Sequence, residues 1–240
     1  MTHSLVGAKD ALRAWTSALW HLFFPSRCVV CGNILNEGEE GLCLRCNMDL
    51  PRTNYHLEEG NPVERMFWGK FTLERATAYF YYQKGSDFRN LLHQLKYGGR
   101  KDLGEVMGRF VAMELEAVHF FRDMDVIVPV PLHPRKERMR GYNQSRCIAE
   151  GVSRVTGIPV DASSVVRCKH TESQTRKSVY ERWENTEGIF QLRHPKAFVG
   201  KHVLIIDDVL TTGATTTACA DAFAQVEGVR ISVLTLAVAN

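Results

Sequence analysis

The sequence predicts an α/β protein: a largely parallel β-sheet flanked by helices, preceded by a small four-cysteine metal module. Three observations lead to this fold class. Short apolar runs alternate with helical patterns over most of the chain. The runs lack the polar alternation of a half-exposed strand, which is typical of parallel strands covered on both faces. Two CxxC pairs lie between Cys28 and Cys46 and predict the metal module.

Composition excludes several classes of protein. The 240 residues are 45% hydrophobic and 24% charged, close to the globular average, which excludes disordered, collagen-like and coiled-coil chains. A net charge of +3 is too small to indicate nucleic-acid binding by bulk charge alone. The apolar runs are too short for a membrane span, and charged residues interrupt the first of them. We therefore expect a cytoplasmic protein, in which cysteines bind metal more often than they form disulfides.

The chain divides by composition into four predicted segments. These are an amphipathic helix over residues 1–24, a Cys₄ zinc ribbon over 25–50, a polar connection over 51–75 and the α/β domain over 76–240. Proline and glycine mark the connection as irregular. Phe67 and Trp68 lie within it, and we expect both side chains to be buried because of their apolar area.

Apolar patterns and breakers predict the elements of the α/β domain. In order, they are a strand over 77–82, a helix capped by Ser86 and ending at Gly98, a helix around 103–111, a strand over 126–130, a helix over 143–155, a strand over 202–206, a helix over 214–226 and a strand over 229–238.

The cysteine spacing predicts a structural zinc site. Each CxxC turn brings two thiolates to one side of the backbone, and two turns complete a tetrahedral shell with no open position for a substrate. The predicted ligands are Cys28, Cys31, Cys43 and Cys46. Four unrelated buried cysteines are one alternative. A redox CxxC is another, but it needs an apolar strand before the pair, and neither pair has one.

The strongest chemical signal follows the strand predicted at 202–206. Asp207 and Asp208 come next, and the threonine-rich loop 211–215 leads into a helix. Hydroxyls, a glycine and unpaired N–H groups at a helix start form a phosphate cradle. The two carboxylates would accept hydrogen bonds from sugar hydroxyls or hold a magnesium-bound ligand, so a phosphorylated ribose satisfies all these parts. P-loop ATPases and dinucleotide-binding folds are excluded because their glycine motifs are missing, whereas a strand and turn without function remains an alternative.

Residues 203–215, VLIIDDVLTTGAT, resemble the signature of type I phosphoribosyltransferases, which binds 5-phosphoribosyl-1-pyrophosphate (PRPP) with magnesium. The resemblance implies that Asp207 and Asp208 contact the ribose hydroxyls. It implies that the loop holds the 5′-phosphate through Thr211, Thr212, Gly213, Ala214 and Thr215.

More of the chain resembles one branch of that group. The segments 125–144 and 171–190 are similar to the competence protein F (ComF/GntX-like) family, in which a zinc ribbon precedes a phosphoribosyltransferase domain. The resemblance covers roughly residues 20 to 240. Longer members carry further CxxC pairs, and this chain has one Cys₄ set.

Two basic segments are candidates to bind pyrophosphate. The turn after the 126–130 strand carries Arg135, Arg138 and Arg140, which the resemblance places against pyrophosphate; a solvated loop or a nucleic-acid patch is the alternative. The polar segment 169–182 is predicted to be a mobile loop that closes over the sugar. Its candidate residues for covering the leaving group are Arg176, Lys177 and Arg182. Two residues after Arg140, Tyr142 is expected either to stack on a base or to pack in the core.

These motifs support two hypotheses about function. The first is a phosphoribosyltransferase-like protein that transfers or senses phosphoribosyl groups, with pyrophosphate leaving C1 as a nitrogen nucleophile attacks. The alternative is a non-enzymatic accessory protein of natural transformation. It would bind single-stranded DNA through the ribbon and the basic 135–146 segment and act with the DNA-uptake machinery.

Overall fold

A computed structural model describes residues 25–168 and 188–239. The chain forms two compact units that divide between Leu50 and Pro51. The amphipathic helix predicted over residues 1–24 lies outside the described residues. Among the helices of the two described ranges, none combines the length and the apolar character needed to cross a bilayer.

The described elements are as follows. The strands are β1 (Leu73–Tyr82), β2 (Val126–Pro129), β3 (Val165–Arg167), β4 (Phe190–Leu192), β5 (His202–Leu210) and β6 (Arg230–Ala239). The α-helices are α1 (Leu44–Met48), α2 (Pro62–Phe67), α3 (Arg89–Tyr97), α4 (Lys101–Glu116), α5 (Pro134–Arg140), α6 (Gln144–Thr156) and α7 (Ala214–Asp221). Short 3₁₀ turns occupy Tyr55–Leu57 and Pro195–Phe198.

Four strands form one parallel sheet in the order β1-β6-β5-β2, and β3 pairs with β4 in an antiparallel ribbon. The parallel α/β sheet predicted from the apolar runs is therefore confirmed. The interior strands β5 and β6 are apolar on both faces, and Val203, Ile205 and Val233 are fully buried. Such strands need helices on both sides because neither face tolerates water.

Helices α4 and α6 pack unusually close together at two glycines. A β-carbon on Gly108 would lie 2.2 Å from the Ile148 carbonyl oxygen, and one on Gly151 would lie 2.2 Å from the Glu105 carbonyl oxygen. Only glycine permits this approach of two backbones. The contact fixes α6, whose first turn faces the end of β5.

Asn61 organises the segment between the ribbon and β1. Its side-chain amide donates to the carbonyls of Tyr55, Glu58 and Ala76, and its oxygen accepts from the amides at the start of α2. Phe67, at the end of α2, is fully buried as expected. The expectation that Trp68 is buried was wrong: the residue follows the end of α2, its ring lies beside Gly60, and 61% of it is exposed.

Three other local predictions were also wrong. Helix α3 begins at Arg89 without a side-chain cap, because the Ser86 hydroxyl donates to the Gln83 carbonyl instead. Helix α7 ends at Asp221, and turns follow it. The basic turn after β2 is helical as α5, which His133 caps by accepting from the Arg135 amide at 3.1 Å.

Candidate functional site

The four predicted zinc ligands form one cluster, here called the thiol cluster. The Sγ atoms of Cys28, Cys31, Cys43 and Cys46 all lie within 4.8 Å of one another. The Cys31 and Cys43 sulfurs are 3.7 Å apart. Zinc with ~2.3 Å bonds to sulfur separates tetrahedral ligands by roughly 3.8 Å, so the observed spacing fits this metal.

Backbone amides around the thiol cluster favour thiolates. Burial raises the pKa of Cys28, but hydrogen bonds from the amides of Cys31, Cys43 and Val30 outweigh burial and lower this pKa to about 7. Burial and the neighbouring sulfurs raise the pKa of Cys46. Four such groups cannot all ionise without a cation, so the residues fit a structural zinc ion, which would bind all four thiolates and leave no position open for catalysis.

The acid pair, Asp207 and Asp208, lies inside β5 and not just beyond it. The strand was predicted to end at residue 206, but its pairing with β6 continues to Leu210 opposite Val238. On its other edge β5 loses its neighbour earlier, since β2 ends at Pro129 opposite Ile206. The prolines on either side of Val130 stop the strand there. This difference in length opens a cleft beside the acid pair.

Each carboxylate of the acid pair has a defined partner. The Ser145 hydroxyl donates to Asp207 Oδ1 at 3.0 Å, and the Asp208 amide donates to the same oxygen at 2.9 Å. Lys96 Nζ lies 3.1 Å from Asp208 Oδ2. Burial, and then the adjacent charge of Asp208, raise the pKa of Asp207 to about 7. The acid pair therefore stores unfavourable like-charge energy at neutral pH.

The acid pair lies in a cavity of about 190 Å³, here called the cleft. Among the residues that the structure describes, four cationic side chains line the cleft together with the two acids, so the described lining carries an excess of positive charge. The cations are Lys96, Lys136, Arg140 and Arg167. A cleft with this balance attracts a ligand that carries several negative charges and also offers hydrogen-bond donors to the acids.

The predicted phosphate loop turns sharply at Gly213. This residue has φ +75°, and a β-carbon here would lie 3.0 Å from the buried Phe67 ring. Gly213 is therefore required both for the turn and for packing. Helix α7 begins at Ala214, whose amide donates to the Thr212 hydroxyl at 3.4 Å, and Thr215 lines the cleft. Thr211 and Thr212 are exposed outside that lining.

Helix α5 separates the predicted pyrophosphate residues. Positions four apart share a helix face, so Lys136 and Arg140 point together and both line the cleft. Arg135 and Arg138 lie on other faces, are exposed and do not line this cleft. Of the three arginines named from the sequence, the structure thus brings only Arg140 to the acid pair.

Sequence reasoning missed several residues of the cleft. Lys96 is the last charged residue of α3 before its glycine stop, Ser145 lies in the first turn of α6, and Arg167 ends β3. In a parallel sheet, the residues that follow the carboxyl ends of neighbouring strands lie close together. The position of residues shortly after β2 beside the acid pair could therefore have been predicted in principle. The sequence does not indicate that Lys96 and Arg167 reach the cleft, because α3 and β3 lie outside the main sheet. Arg176, Lys177 and Arg182 lie outside the described residues.

The metal module matches a known domain family. A double zinc ribbon domain matches residues 19–57, which contain the thiol cluster. The matched stretch has four cysteines, enough for one Cys₄ site. The ribbon and the parallel sheet together define a zinc-ribbon protein with a parallel α/β domain.

Two relatives identify the family. DNA utilization protein YhgH of Escherichia coli K12 is 30% identical over 212 residues, which cover 81% of this chain and 88% of the relative. Competence protein F of Haemophilus influenzae is 26% identical over 204 residues, which cover 80% and 88%. The chain belongs to the competence protein F family, and the resemblance found from its motifs is confirmed.

Among solved structures, the glutamine PRPP amidotransferase of B. subtilis, complexed with ADP and GMP, overlaps the chain with a TM-score of 0.35 at 20% identity. The match covers 56% of this chain, which spans only 26% of the amidotransferase.

Proposed function

We propose that the cleft binds PRPP, and that the protein transfers or senses its phosphoribosyl group. One observation carries the proposal: two carboxylates, four cations and the start of α7 meet at the carboxyl end of β5. Ribose hydroxyls would donate to Asp207 and Asp208. The phosphates would face the cations, and the 5′-phosphate would lie against the loop 211–215 and the positive end of the α7 dipole.

The partners of the acid pair support a sugar and not a second metal cage. Asp207 Oδ1 already accepts two hydrogen bonds, and Lys96 already offsets the charge of Asp208. The pair therefore offers too few free oxygens to surround magnesium, which prefers six oxygen ligands and usually binds through substrate phosphates and water. We propose that magnesium arrives bound to the pyrophosphate and supplies charge neutralisation there.

The proposed reaction is a displacement at C1 of the ribose. A nitrogen nucleophile forms the new bond to C1 while the bond from C1 to the pyrophosphate oxygen breaks, and pyrophosphate leaves with the electron pair. Arg140 and Lys136 lie on the face of α5 that lines the cleft, so their charges would stabilise the leaving group. If the protein only senses PRPP, the same residues bind it without this step. Either use would belong in the cytoplasm, where the ribbon thiols stay reduced.

Calorimetric titration of magnesium and PRPP into the zinc-loaded protein tests the proposal. We expect micromolar binding that is lost in Asp207→Asn and weakened in Thr212→Ala, because Thr212 lies outside the cleft lining but within the loop proposed to hold the 5′-phosphate. Ligand at 100 times its Kd should also stabilise the protein by ~2.7 kcal/mol in a thermal shift measurement. Asp123→Asn is the matched control, because this acid is 71% exposed before β2 at the opposite end of the sheet.

Two results would contradict the proposal. One is a wild-type protein that does not bind at millimolar PRPP. The other is an Asp123→Asn variant that loses as much affinity as Asp207→Asn, since the acid pair would then have no special role. Turnover with a panel of bases and amines separates an enzyme from a sensor, because only an enzyme releases pyrophosphate.

A second candidate function is binding of single-stranded DNA. The names of the relatives concern DNA utilization and competence. Arg135 and Arg138 are exposed on α5 outside the cleft, where they are available to phosphates of a longer strand. DNA binding through these residues predicts a steep loss of affinity between about 50 and 200 mM salt and a shallower slope in Arg138→Gln. PRPP binding by the same variant should be unchanged, because Arg138 does not line the cleft.

A further inference from the structure

An exposed aromatic ring lies directly beside the cleft. Tyr97 is the last residue of α3, is 63% exposed, and follows Lys96, whose ammonium group holds Asp208 at 3.1 Å. Tyr142, the tyrosine singled out from the sequence, behaves differently. It is buried and donates its hydroxyl to the Leu95 carbonyl, so it packs. Of these two tyrosines, Tyr97 has the ring that is available for stacking.

Arg140 connects this ring to the cleft. Its guanidinium carbon lies 5.2 Å from the centre of the Tyr97 ring, and its Nη1 donates to Gln144 Oε1 at 2.7 Å. Both Arg140 and Gln144 line the cleft. Arg140 Nε is buried and has no hydrogen-bond partner among the described residues. The guanidinium is thus held against the ring with one donor still unsatisfied.

His93 completes an aromatic surface on the same helix. It lies one helical turn before Tyr97, is exposed, and its ring centre is 5.3 Å from that of Tyr97 at an angle of 49°. We call His93, Tyr97 and Arg140 the Tyr97 platform. Planar aromatic rings and a guanidinium plane are the groups on which proteins stack nucleobases.

We propose that the Tyr97 platform stacks a planar nucleobase next to the phosphoribosyl-binding cleft. The proposal rests on the proposed function, because it assigns the neighbouring ligand of that site. A base could arrive free, as an acceptor for the phosphoribosyl group, or within a single strand of DNA. Both sources offer the same flat ring, and a platform made mainly of π-faces accepts different bases with little discrimination.

Three probes and three variants test the platform. The probes are free adenine, a ten-residue oligodeoxyadenylate and an abasic deoxyribose-phosphate strand of equal length, each titrated at one salt concentration. Tyr97→Leu removes the ring, and Tyr97→Phe retains it. Trp68→Leu is the matched control, since this exposed aromatic lies outside the cleft lining. PRPP with magnesium is titrated into the same preparations.

We expect Tyr97→Leu to weaken binding of adenine or of the oligodeoxyadenylate by about fivefold or more, the effect of losing one stacked base. Binding of the abasic strand should fall much less, and Tyr97→Phe and Trp68→Leu should resemble the wild type. Binding of adenine identifies a free base as the source. Binding of the oligodeoxyadenylate in preference to adenine and the abasic strand identifies a single strand.

Two outcomes would overturn the platform. One is equal binding of the base-bearing and abasic strands, with no binding of adenine, by the wild type. The other is a loss in Tyr97→Leu no larger than that in Trp68→Leu. The PRPP titration separates this failure from failure of the proposed function: PRPP binding without base binding rejects only the platform, and absence of PRPP binding rejects the site on which it rests.

Discussion

The thiol cluster and the acid pair both force groups that ionise to the same charge into contact, but they relieve the repulsion differently. Four sulfurs lie within 4.8 Å of one another, in an arrangement that fits a closed metal shell. Asp207 and Asp208 are relieved by one lysine, one serine and a raised pKa of Asp207. The first arrangement matches a permanent cation, whereas the second leaves charge and space for a ligand that comes and goes.

This difference separates structural from functional use of the same electrostatics. A closed shell stabilises the fold because all four thiolates bind the metal and none has to remain available for a substrate. An acid pair without a bound cation costs stability, and such a cost is typical of functional sites. The two regions should therefore respond in opposite directions when a charged group is removed.

The largest effect is expected from breaking the thiol cluster. Cys46→Ser, or a strong chelator, should release zinc and unfold the ribbon, since structural zinc contributes roughly 10 kcal/mol to the folding of such modules. Metal analysis should give one zinc per wild-type chain and much less in the variant, and limited proteolysis should cut within residues 25–50. Cys168→Ser is the control, because this thiol lies outside the cluster. Equal loss of zinc in both variants would contradict the assignment of ligands.

Removing a charge from the acid pair is expected to stabilise the protein, in contrast to the loss of stability expected at the thiol cluster. The pKa of Asp207 is raised from 3.8 to about 7, so the folded protein keeps a proton that the unfolded chain has released. Stability due to this group therefore falls as pH rises through that window and stays low above it. Asp207→Asn keeps an oxygen for Ser145 and should stabilise the protein by on the order of 2 kcal/mol at about pH 8, with the gain vanishing near pH 4.

Urea unfolding at about pH 5 and pH 8 measures this gain. Asp102→Asn is a control of opposite sign, since the hydrogen bond from Arg100 lowers the pKa of that carboxyl and its loss should weaken the fold at the higher pH. An Asp207→Asn variant that is less stable than the wild type at the higher pH would contradict the picture of stored repulsion.

The smallest effect is expected from Lys96. Lys96→Met removes the cation that offsets Asp208 and should destabilise the protein by about 1 kcal/mol at neutral to basic pH, because the pair is largely buried, with 24% and 15% of the two side chains exposed. Lys201→Met removes a similar contact, 3.2 Å from Asp125, that is 47% and 36% exposed, and should cost less. Unfolding midpoints of the two variants give the comparison, and a larger loss in Lys201→Met would reverse it.

The parallel sheet, the zinc ligands and the acid pair could be predicted from the sequence, because each depends on short contiguous patterns. Apolar runs define β5 and β6, and CxxC spacing defines the thiol cluster. Neither pattern needs knowledge of distant contacts. The length of β5 was underestimated because two adjacent aspartates rarely sit inside a paired strand.

The rest of the site depends on long-range packing. Lys96 reaches Asp208 from a distant part of the sequence, and only the folded structure brings them to 3.1 Å. The basic segment after β2 was predicted to be a turn, so its arginines were treated as equivalent. Its helical form as α5 assigns Arg140 to the cleft and Arg138 to the surface, a distinction that a list of charges does not contain.

The position of β5 between β6 and β2 has a consequence for how the cleft moves. Its residues from Val203 to Ile206 are paired with both neighbouring strands, so this segment should open only with the whole domain and its amides should exchange with solvent most slowly, and the acid pair follows directly after it. Helix α5, whose residues from Arg135 to Met139 are all exposed, should exchange through local opening. One wall of the cleft is then fixed and the other adjustable. A ligand would meet preset carboxylates and draw the arginine-bearing wall toward itself.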